Sequence, residues 1–162
     1  MQDIKEPNIQ KEEPKKKKEN GILPITDTRM TRFNITLQQG VDFVLQCLDK
    51  MWGGELFVPK IPSYKILDIA KVIAPECKYE IVGIRAGEKL HEVMCPSDDS
   101  HLTLEFEDHF VIEPTINFFD NSFDYKTNQL GEKGENVDYG FEYNSGSNPV
   151  FLSPQEIIDY GA

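Results

Sequence analysis

The feature that most constrains the fold of this chain is an apolar stripe at helical spacing that ends in a double glycine. Its members are Leu37, Val41, Val44, Leu45, Leu48 and Trp52. This spacing predicts an amphipathic helix with a buried apolar face. Gly53 and Gly54 end the helix, and the short apolar run ELFVP at 55–59 predicts a strand directly after it.

A second helix and a hairpin are predicted further along the chain. Ser63 has the side chain of a helix N-cap, and Pro75 ends that helix. Its apolar positions are Ile66, Ile69, Ala70 and Ile73. Residues 101–113 alternate in polarity around a turn at Glu107–Asp108, which predicts a strand or hairpin. This order of elements favours a small α/β unit with too few strands for a complete dinucleotide-binding domain.

The C-terminal third is rich in Asn, Gly, Asp and aromatic residues. Residues 114–150 are expected to form a long ordered loop, because their aromatic side chains need packing partners. These side chains are Phe118, Phe119, Phe123, Tyr125, Tyr139, Phe141 and Tyr143. The run SPQE at 153–156 combines a Ser cap, a proline at the first helical position and a glutamate three residues after the serine, so it predicts a short terminal helix.

A charged cluster of Arg85, Glu88 and Lys89 lies inside EIVGIRAGEKLHEVM, residues 80–94. The apolar residues before it (Ile81, Val82, Ile84) predict a short buried strand, and those after it (Leu90, Val93, Met94) recur at helical spacing. The cluster is therefore predicted at a strand-to-helix junction, where ligands usually bind in α/β proteins, and an arginine fork can grip phosphate. A solvated turn is the alternative, which these residues alone favour.

Composition limits the possible partners. The formal net charge of −11 repels polyphosphate backbones, so no nucleic acid is expected and any phosphate site must be local. Residues 1–20 contain two prolines, no aromatic residue and the lysine run 15–18, so they predict a disordered tail ahead of a folded region at 21–162.

The cysteines indicate neither a disulfide framework nor a metal site. Cys47, Cys77 and Cys95 are an odd number, far apart, and Cys47 is expected in the core. Together with the histidines at 91, 101 and 109 they match no zinc spacing. No apolar run is long enough to span a membrane, so a reduced, cytoplasmic protein is expected.

Several separated motifs carry a resemblance to a known family. They are MTRFNITLQQGVDFVL, FVPKIPS, EIVGIRAGEKLHEVM and GFEYNSGSNPVFLS, in this order. Over residues 21–162 the chain resembles the C-terminal part of inverting UDP-N-acetylglucosamine 4,6-dehydratases. These are nucleotide-sugar enzymes of the extended short-chain dehydrogenase class, found in bacterial pathways to pseudaminic acid and related surface sugars. The implied fold is the small α/β substrate-binding part of a Rossmann-type enzyme, with the cofactor half missing.

The resemblance implies roles for three residues. Arg85 is the expected diphosphate ligand of a UDP-sugar, Glu88 the expected acceptor for the ribose hydroxyls, and Arg32 a second phosphate contact. Planar guanidinium groups and a carboxylate suit these tasks. His91 is expected to serve in packing or support, and no catalytic residue is assigned.

The resemblance also implies a cofactor that this chain is not expected to hold. The family reaction uses NADP, bound by a Gly-rich turn and a Tyr-x-x-x-Lys pair in an N-terminal half, and neither motif occurs in this sequence. Whether the chain is an enzyme therefore stays open. The alternatives are a truncated or remnant gene product that does not act alone, half of a split enzyme that needs a separate Rossmann chain, and a non-catalytic interaction protein. A homo-oligomer is a further possible assembly.

Overall fold

The computed structural model describes residues 21–116 and 123–160. The predicted tail at 1–20 and the aromatic residues Phe118 and Phe119 lie outside the described residues. In chain order the elements are β1 (Ile22–Ile25), β2 (Thr31–Phe33), α1 (Leu37–Lys50), β3 (Leu56–Pro59), β4 (Ser63–Lys65), α2 (Ile66–Ile73), β5 (Lys78–Ile81), β6 (Val93–Cys95), a 3-10 helix (Ser97–Leu102), β7 (Thr103–Glu105), β8 (His109–Ile112), β9 (Glu135–Asn136), β10 (Tyr143–Asn144) and α3 (Pro154–Asp159).

The core forms on a four-stranded antiparallel sheet in the order β3-β8-β7-β9. The predicted hairpin is confirmed as β7 and β8. Side chains alternate between the two faces of the sheet, so two apolar clusters form. One contains Val58, Cys95, Phe110 and Tyr143, and the other contains Leu104, Phe106 and Val111. Burial raises the pKa of Cys95 to about 12, which makes it an inert core thiol.

Helix α1 is confirmed, but the prediction that its apolar face is buried is wrong. Thr36 and Gln39 form a capping box at its start, and the helix ends before Met51. The stripe residues of the helix remain exposed, from Val41 at 46% to Leu37 at 86%, while Lys50 is buried. The reason is that no other part of residues 21–116 and 123–160 covers the face that carries the apolar stripe.

The predicted buried strand at 81–84 is also wrong in place and burial. Strand β5 begins earlier, at Lys78, and pairs in parallel with β1. All four of its residues are exposed, as are Val82 and Ile84 after it. Parallel strands are normally covered on both faces, so this pair has the character of an incomplete sheet.

The two remaining helices differ in how well the sequence predicted them. The capping box of α3 is confirmed, with Ser153 and Glu156 bonded to each other and Pro154 in the first turn. Ser63 is not the cap of α2, because it lies in β4, fully buried, and accepts a hydrogen bond from Asn148 Nδ2 at 2.9 Å. The N-cap position belongs to Lys65, which makes no capping bond.

Part of the aromatic segment packs as expected. Phe123 stacks on Trp52 with ring centroids 5.2 Å apart, and the Tyr125 hydroxyl donates to the Gly53 carbonyl at 3.0 Å. These contacts connect the segment to the end of α1. Tyr139 does not pack and is 96% exposed.

His109 is the most unusual core residue. Its ring is fully buried and stacks on Phe106 at 4.7 Å. Nδ1 lies 2.5 Å from Asp108 Oδ1, and Nε2 has no hydrogen-bond partner within the described residues. Burial lowers the pKa of His109, although Asp108 opposes the effect. Protonation would place an N–H at Nε2 where the surroundings offer no acceptor, which agrees with a neutral ring.

We therefore predict an acid-dependent loss of stability. Because the folded pKa of His109 lies below the unfolded value of about 6.5, the unfolded chain binds the extra proton as pH falls through that value. The free energy of unfolding should fall below about pH 6.5, by up to about 1.4 kcal/mol per pH unit, until the folded pKa is reached. Urea unfolding between neutral and mildly acidic pH measures this slope.

Two variants attribute the slope to His109. His109→Phe keeps the stacked ring but does not titrate, so it should remove the slope. His101→Asn changes an exposed histidine and should leave the slope in place. A His109→Phe protein with the slope of the parent would contradict this explanation.

Candidate functional site

The predicted charged cluster lies on a tight turn after β5. The Glu88 N–H donates to the Arg85 carbonyl at 3.1 Å, and the Arg85 N–H donates to Glu88 Oε2 at 2.9 Å. Gly87 has a φ of 84°, the left-handed conformation that the third position of such a turn requires. The predicted strand-to-helix junction is wrong, because the chain continues through a loop into strand β6. The cluster therefore lies on a strand-to-strand connection.

The turn leaves polar groups of Arg85 and Glu88 without protein partners among the described residues. The Arg85 side chain is exposed, and its guanidinium makes no hydrogen bond or ion pair with any residue that the structure describes. Glu88 is half-buried and uses only Oε2 to fix the turn, so Oε1 retains its acceptor capacity. A free guanidinium beside a free carboxylate oxygen can bind a phosphate and a hydroxyl.

Arg32 attaches β2 to the loop that carries this turn. Its Nη1 donates to the Thr31 carbonyl at 2.6 Å and to the Leu90 carbonyl at 3.3 Å, and its Nη2 donates to the Lys89 carbonyl at 3.0 Å. Its Nε lies 3.2 Å from Glu92 Oε1. Since a guanidinium has five N–H donors, one N–H on Nη2 remains. The structure thus brings the predicted residues to one loop, but Arg32 acts first as an internal support.

Tyr64 lies beside Arg32, as its partner across β2 and β4. Burial raises the pKa of Tyr64, and the charge of Arg32 opposes this rise. A tyrosine with a raised pKa stays protonated at neutral pH, so it does not serve as a base there.

A hydrogen-bond network that the sequence did not predict joins this loop to β2 and to the residue after β10. His91 Nδ1 lies 2.7 Å from Thr31 Oγ1, which lies 2.8 Å from Ser145 Oγ. Thr31 and Ser145 are 114 residues apart, and both are common residue types, so the sequence offered no signal for the pair. His91 was expected in a supporting role, and the structure supplies its partner.

A separate pocket of about 330 Å³ lies between β8 and the segment at 141–150. Its polar groups are already occupied: the Tyr143 hydroxyl bonds the N–H and the carbonyl of Ile61, and Lys60 Nζ bonds Glu105 Oε1 at 2.8 Å. These contacts stabilise the fold and leave few groups for a ligand.

Neither a metal cluster nor a membrane-spanning helix is found in the part of the chain that the structure describes. No three His, Cys, Asp or Glu side chains there come close enough to hold an ion. No helix there is long and apolar enough to cross a membrane.

Comparison with known proteins gives a consistent result. Residues 13–114, more than half of the chain, match the model of a family described as polysaccharide biosynthesis protein. The chain is 56% identical over 137 residues to the inverting UDP-N-acetylglucosamine 4,6-dehydratase of Campylobacter jejuni, which is 85% of this chain and 41% of that enzyme. It is 33% identical over 99 residues to the UDP-glucose 4-epimerase of Rickettsia conorii, covering 59% of this chain and 29% of the epimerase.

A solved structure shares the fold. The X-ray structure of Pen from Bacillus thuringiensis aligns with a TM-score of 0.67 at 24% identity, over 90% of this chain and 42% of that one. The prediction of an α/β part of a larger fold is therefore confirmed. The chain spans about two fifths of the length of the Campylobacter relative and of the solved chain.

The different environments of the two arginines predict different effects on stability. Arg32→Ala would remove the donor to the Lys89 carbonyl and one of the two donors to the Leu90 carbonyl. It would also remove the ion pair with Glu92, so it should lower the free energy of unfolding by about 1 to 3 kcal/mol. Arg85→Ala removes an exposed side chain and should change it by less than about 0.5 kcal/mol. Urea unfolding of both variants tests this, and equal destabilisation would contradict the assigned roles.

Proposed function

This chain belongs to the polysaccharide biosynthesis protein family, and from that membership we propose that it is the substrate-binding portion of a UDP-N-acetylglucosamine 4,6-dehydratase. The proposed ligand is a UDP-sugar, and the proposed location is the cytoplasm. The observation that carries the proposal is the free Arg85 guanidinium beside Glu88 on a glycine-containing turn. Identity of 56% with the Campylobacter enzyme supports the choice of nucleotide sugar.

Each proposed contact follows from the chemistry of the side chain. Arg85 offers a planar fork to two diphosphate oxygens, and the remaining N–H of Arg32 adds a second donor. Glu88 Oε1 accepts from a ribose hydroxyl. Since the chain carries a net charge of −11, these cations act as a local site within a repulsive field.

The residues of this chain do not fit the cofactor that the proposed reaction uses. The sequence has no Gly-rich dinucleotide turn and no Tyr-x-x-x-Lys pair. Among the described strands only β1 and β5 pair in parallel, whereas dinucleotides bind at the switch point of a larger parallel sheet. No redox step is therefore assigned to these residues. This portion alone is expected to bind the UDP-sugar but not to convert it.

A second candidate function, half of a split enzyme, is favoured by the exposed face of α1. Together with Ile35, the residues Leu37, Val41, Val44 and Leu45 line an apolar groove of about 420 Å³. The Campylobacter enzyme has more than half of its length outside the matched region, so a separate Rossmann chain of that kind is the proposed occupant. Association with a second copy of this chain is the competing outcome.

The binding proposal predicts a specific loss in one arginine variant. Arg85→Ala should weaken UDP binding by about 1.5 to 3 kcal/mol, because a charge-assisted contact is lost. The matched control is Arg29→Ala, since Arg29 is exposed and paired with Asp27 at 2.8 Å. Isothermal titration with UDP measures both, and a parent-like affinity in Arg85→Ala would refute the site.

The split-enzyme candidate predicts that catalysis appears only with a partner. Mixing this chain with the unmatched part of the Campylobacter enzyme, under saturating NADP and substrate, should give the 4-keto sugar. Val44→Glu should abolish the product, because a charge in the apolar groove opposes docking. Gln46→Glu adds the same charge at another exposed position on α1 and should leave the amount of product unchanged. No product from the parent mixture would rule out this pairing.

A further inference from the structure

A chain of hydrogen bonds through two buried hydroxyl groups begins at His91, in the same loop as Arg85 and Glu88. It consists of Ser145, Thr31 and His91, and we call it the hydroxyl relay. Ser145 Oγ accepts from the Glu92 N–H at 2.9 Å and contacts Thr31 Oγ1 at 2.8 Å, and Thr31 Oγ1 contacts His91 Nδ1 at 2.7 Å. Ser145 is fully buried and Thr31 is 4% exposed. The relay joins the end of β10, strand β2 and the loop after Glu88.

Counting protons fixes the direction of the relay. If His91 Nδ1 carried a hydrogen, it would donate to Thr31 Oγ1, and either the Thr31 or the Ser145 hydroxyl proton would then have no acceptor among the described residues. In the opposite direction Ser145 donates to Thr31 and Thr31 donates to His91 Nδ1, so every hydroxyl proton has an acceptor. His91 is then a neutral ring with its proton on Nε2.

Close packing holds the His91 ring in this position. A Cβ atom added to Gly146 would lie 2.6 Å from His91 Nδ1 and 2.7 Å from Cε1. Such distances are well inside van der Waals contact, so residue 146 has to lack a side chain for the ring to meet Thr31.

The residues that follow the turn are fixed one after another. The Leu90 carbonyl accepts from the Thr31 N–H at 3.1 Å, His91 joins the relay, and the Glu92 carbonyl accepts from the Ser145 N–H at 2.8 Å. Arg85 and Glu88 themselves lie on an exposed turn without such anchors. The orientation of the turn therefore depends on the rigid segment at 90–92.

We propose that the hydroxyl relay is a positioning device that holds the Arg85–Glu88 turn in its nucleotide-binding orientation through His91. This inference rests on the proposed function. His91 is a positioning residue, and its imidazole acts as a hydrogen-bond acceptor at Nδ1. Ordering the turn before the ligand arrives reduces the entropy that binding has to overcome.

The test uses four variants of the chain. Thr31→Val keeps the shape of the side chain but removes the hydroxyl, and Gly146→Ala displaces the His91 ring without removing a donor or an acceptor. Thr31→Ser keeps the hydroxyl and is the rescue variant. Thr115→Val makes the same change at an exposed threonine and is the matched control.

Long-range ¹H–¹⁵N spectra of the imidazoles at neutral pH report the tautomer of His91 in the free protein. The parent and Thr31→Ser should carry the proton on Nε2, whereas Thr31→Val and Gly146→Ala should lose this preference. UDP affinity should fall about tenfold in the latter two, as expected for one lost buried hydrogen bond. Thr115→Val should match the parent in both measurements.

Three results would overturn the proposal. A proton on Nδ1 of His91 in the parent would refute the direction of the relay. Parent-like UDP affinity in Thr31→Val, despite a changed tautomer, would refute positioning. If the parent does not bind UDP, the proposed function fails instead, and amide hydrogen exchange then tests the relay separately. Thr31→Val should speed exchange of the Arg85 and Glu88 amides about tenfold. Unchanged exchange rates would refute the positioning role of the relay.

Discussion

The arrangement of the candidate site depends on the guanidinium of Arg32. It bonds the carbonyls of Lys89 and Leu90 from a position in β2, and Nε pairs with Glu92. Backbone carbonyls need donors where the chain is partly buried, as at Leu90, and one planar group here supplies donors to two successive carbonyls in a fixed geometry. Without it the loop after β5 would lose its bonds at the Lys89 carbonyl and the Glu92 carboxylate, which no other described residue supplies, and would keep the bonds to Thr31 and Ser145.

A second constraint is the incomplete burial of two of the elements. The antiparallel sheet has apolar clusters on both faces, whereas α1 and the β1–β5 pair expose apolar residues. An exposed amphipathic helix and a two-stranded parallel sheet with exposed residues are both uncommon in an independent domain. It agrees with a chain that spans about 41% of the Campylobacter relative. The loop that carries Arg85 and Glu88, in contrast, is held by residues within this chain, which is why its proposed role can be tested with this chain alone.

Local signals predicted local structure well. The apolar period gave α1, alternation around Glu107–Asp108 gave the hairpin, and SPQE gave the capped helix α3. Burial was less predictable, because the pattern of α1 shows which face is apolar but not whether anything covers it. Ser63 was misread as a cap because its true partner, Asn148, is 85 residues away.

The candidate site shows the same limit. Arg85 and Glu88 are close in sequence, so a motif was enough to select them, and their roles as ligands remain predictions. The strand-to-helix interpretation failed because Leu90, Val93 and Met94 fit a helical period by chance, while the segment at 93–95 pairs with β10 instead. Thr31 and Ser145 carry no motif, and only the folded chain brings their hydroxyls together.

The most direct test of the central claim is thermal unfolding of the purified chain, followed by circular dichroism, with millimolar UDP and with millimolar uridine. A ligand that binds only the native state raises the midpoint of unfolding. We predict a cooperative transition that UDP shifts upward and uridine shifts far less, because the proposed contact of Arg85 is with the diphosphate. A midpoint that UDP leaves unchanged would contradict the claim that this chain holds a nucleotide site.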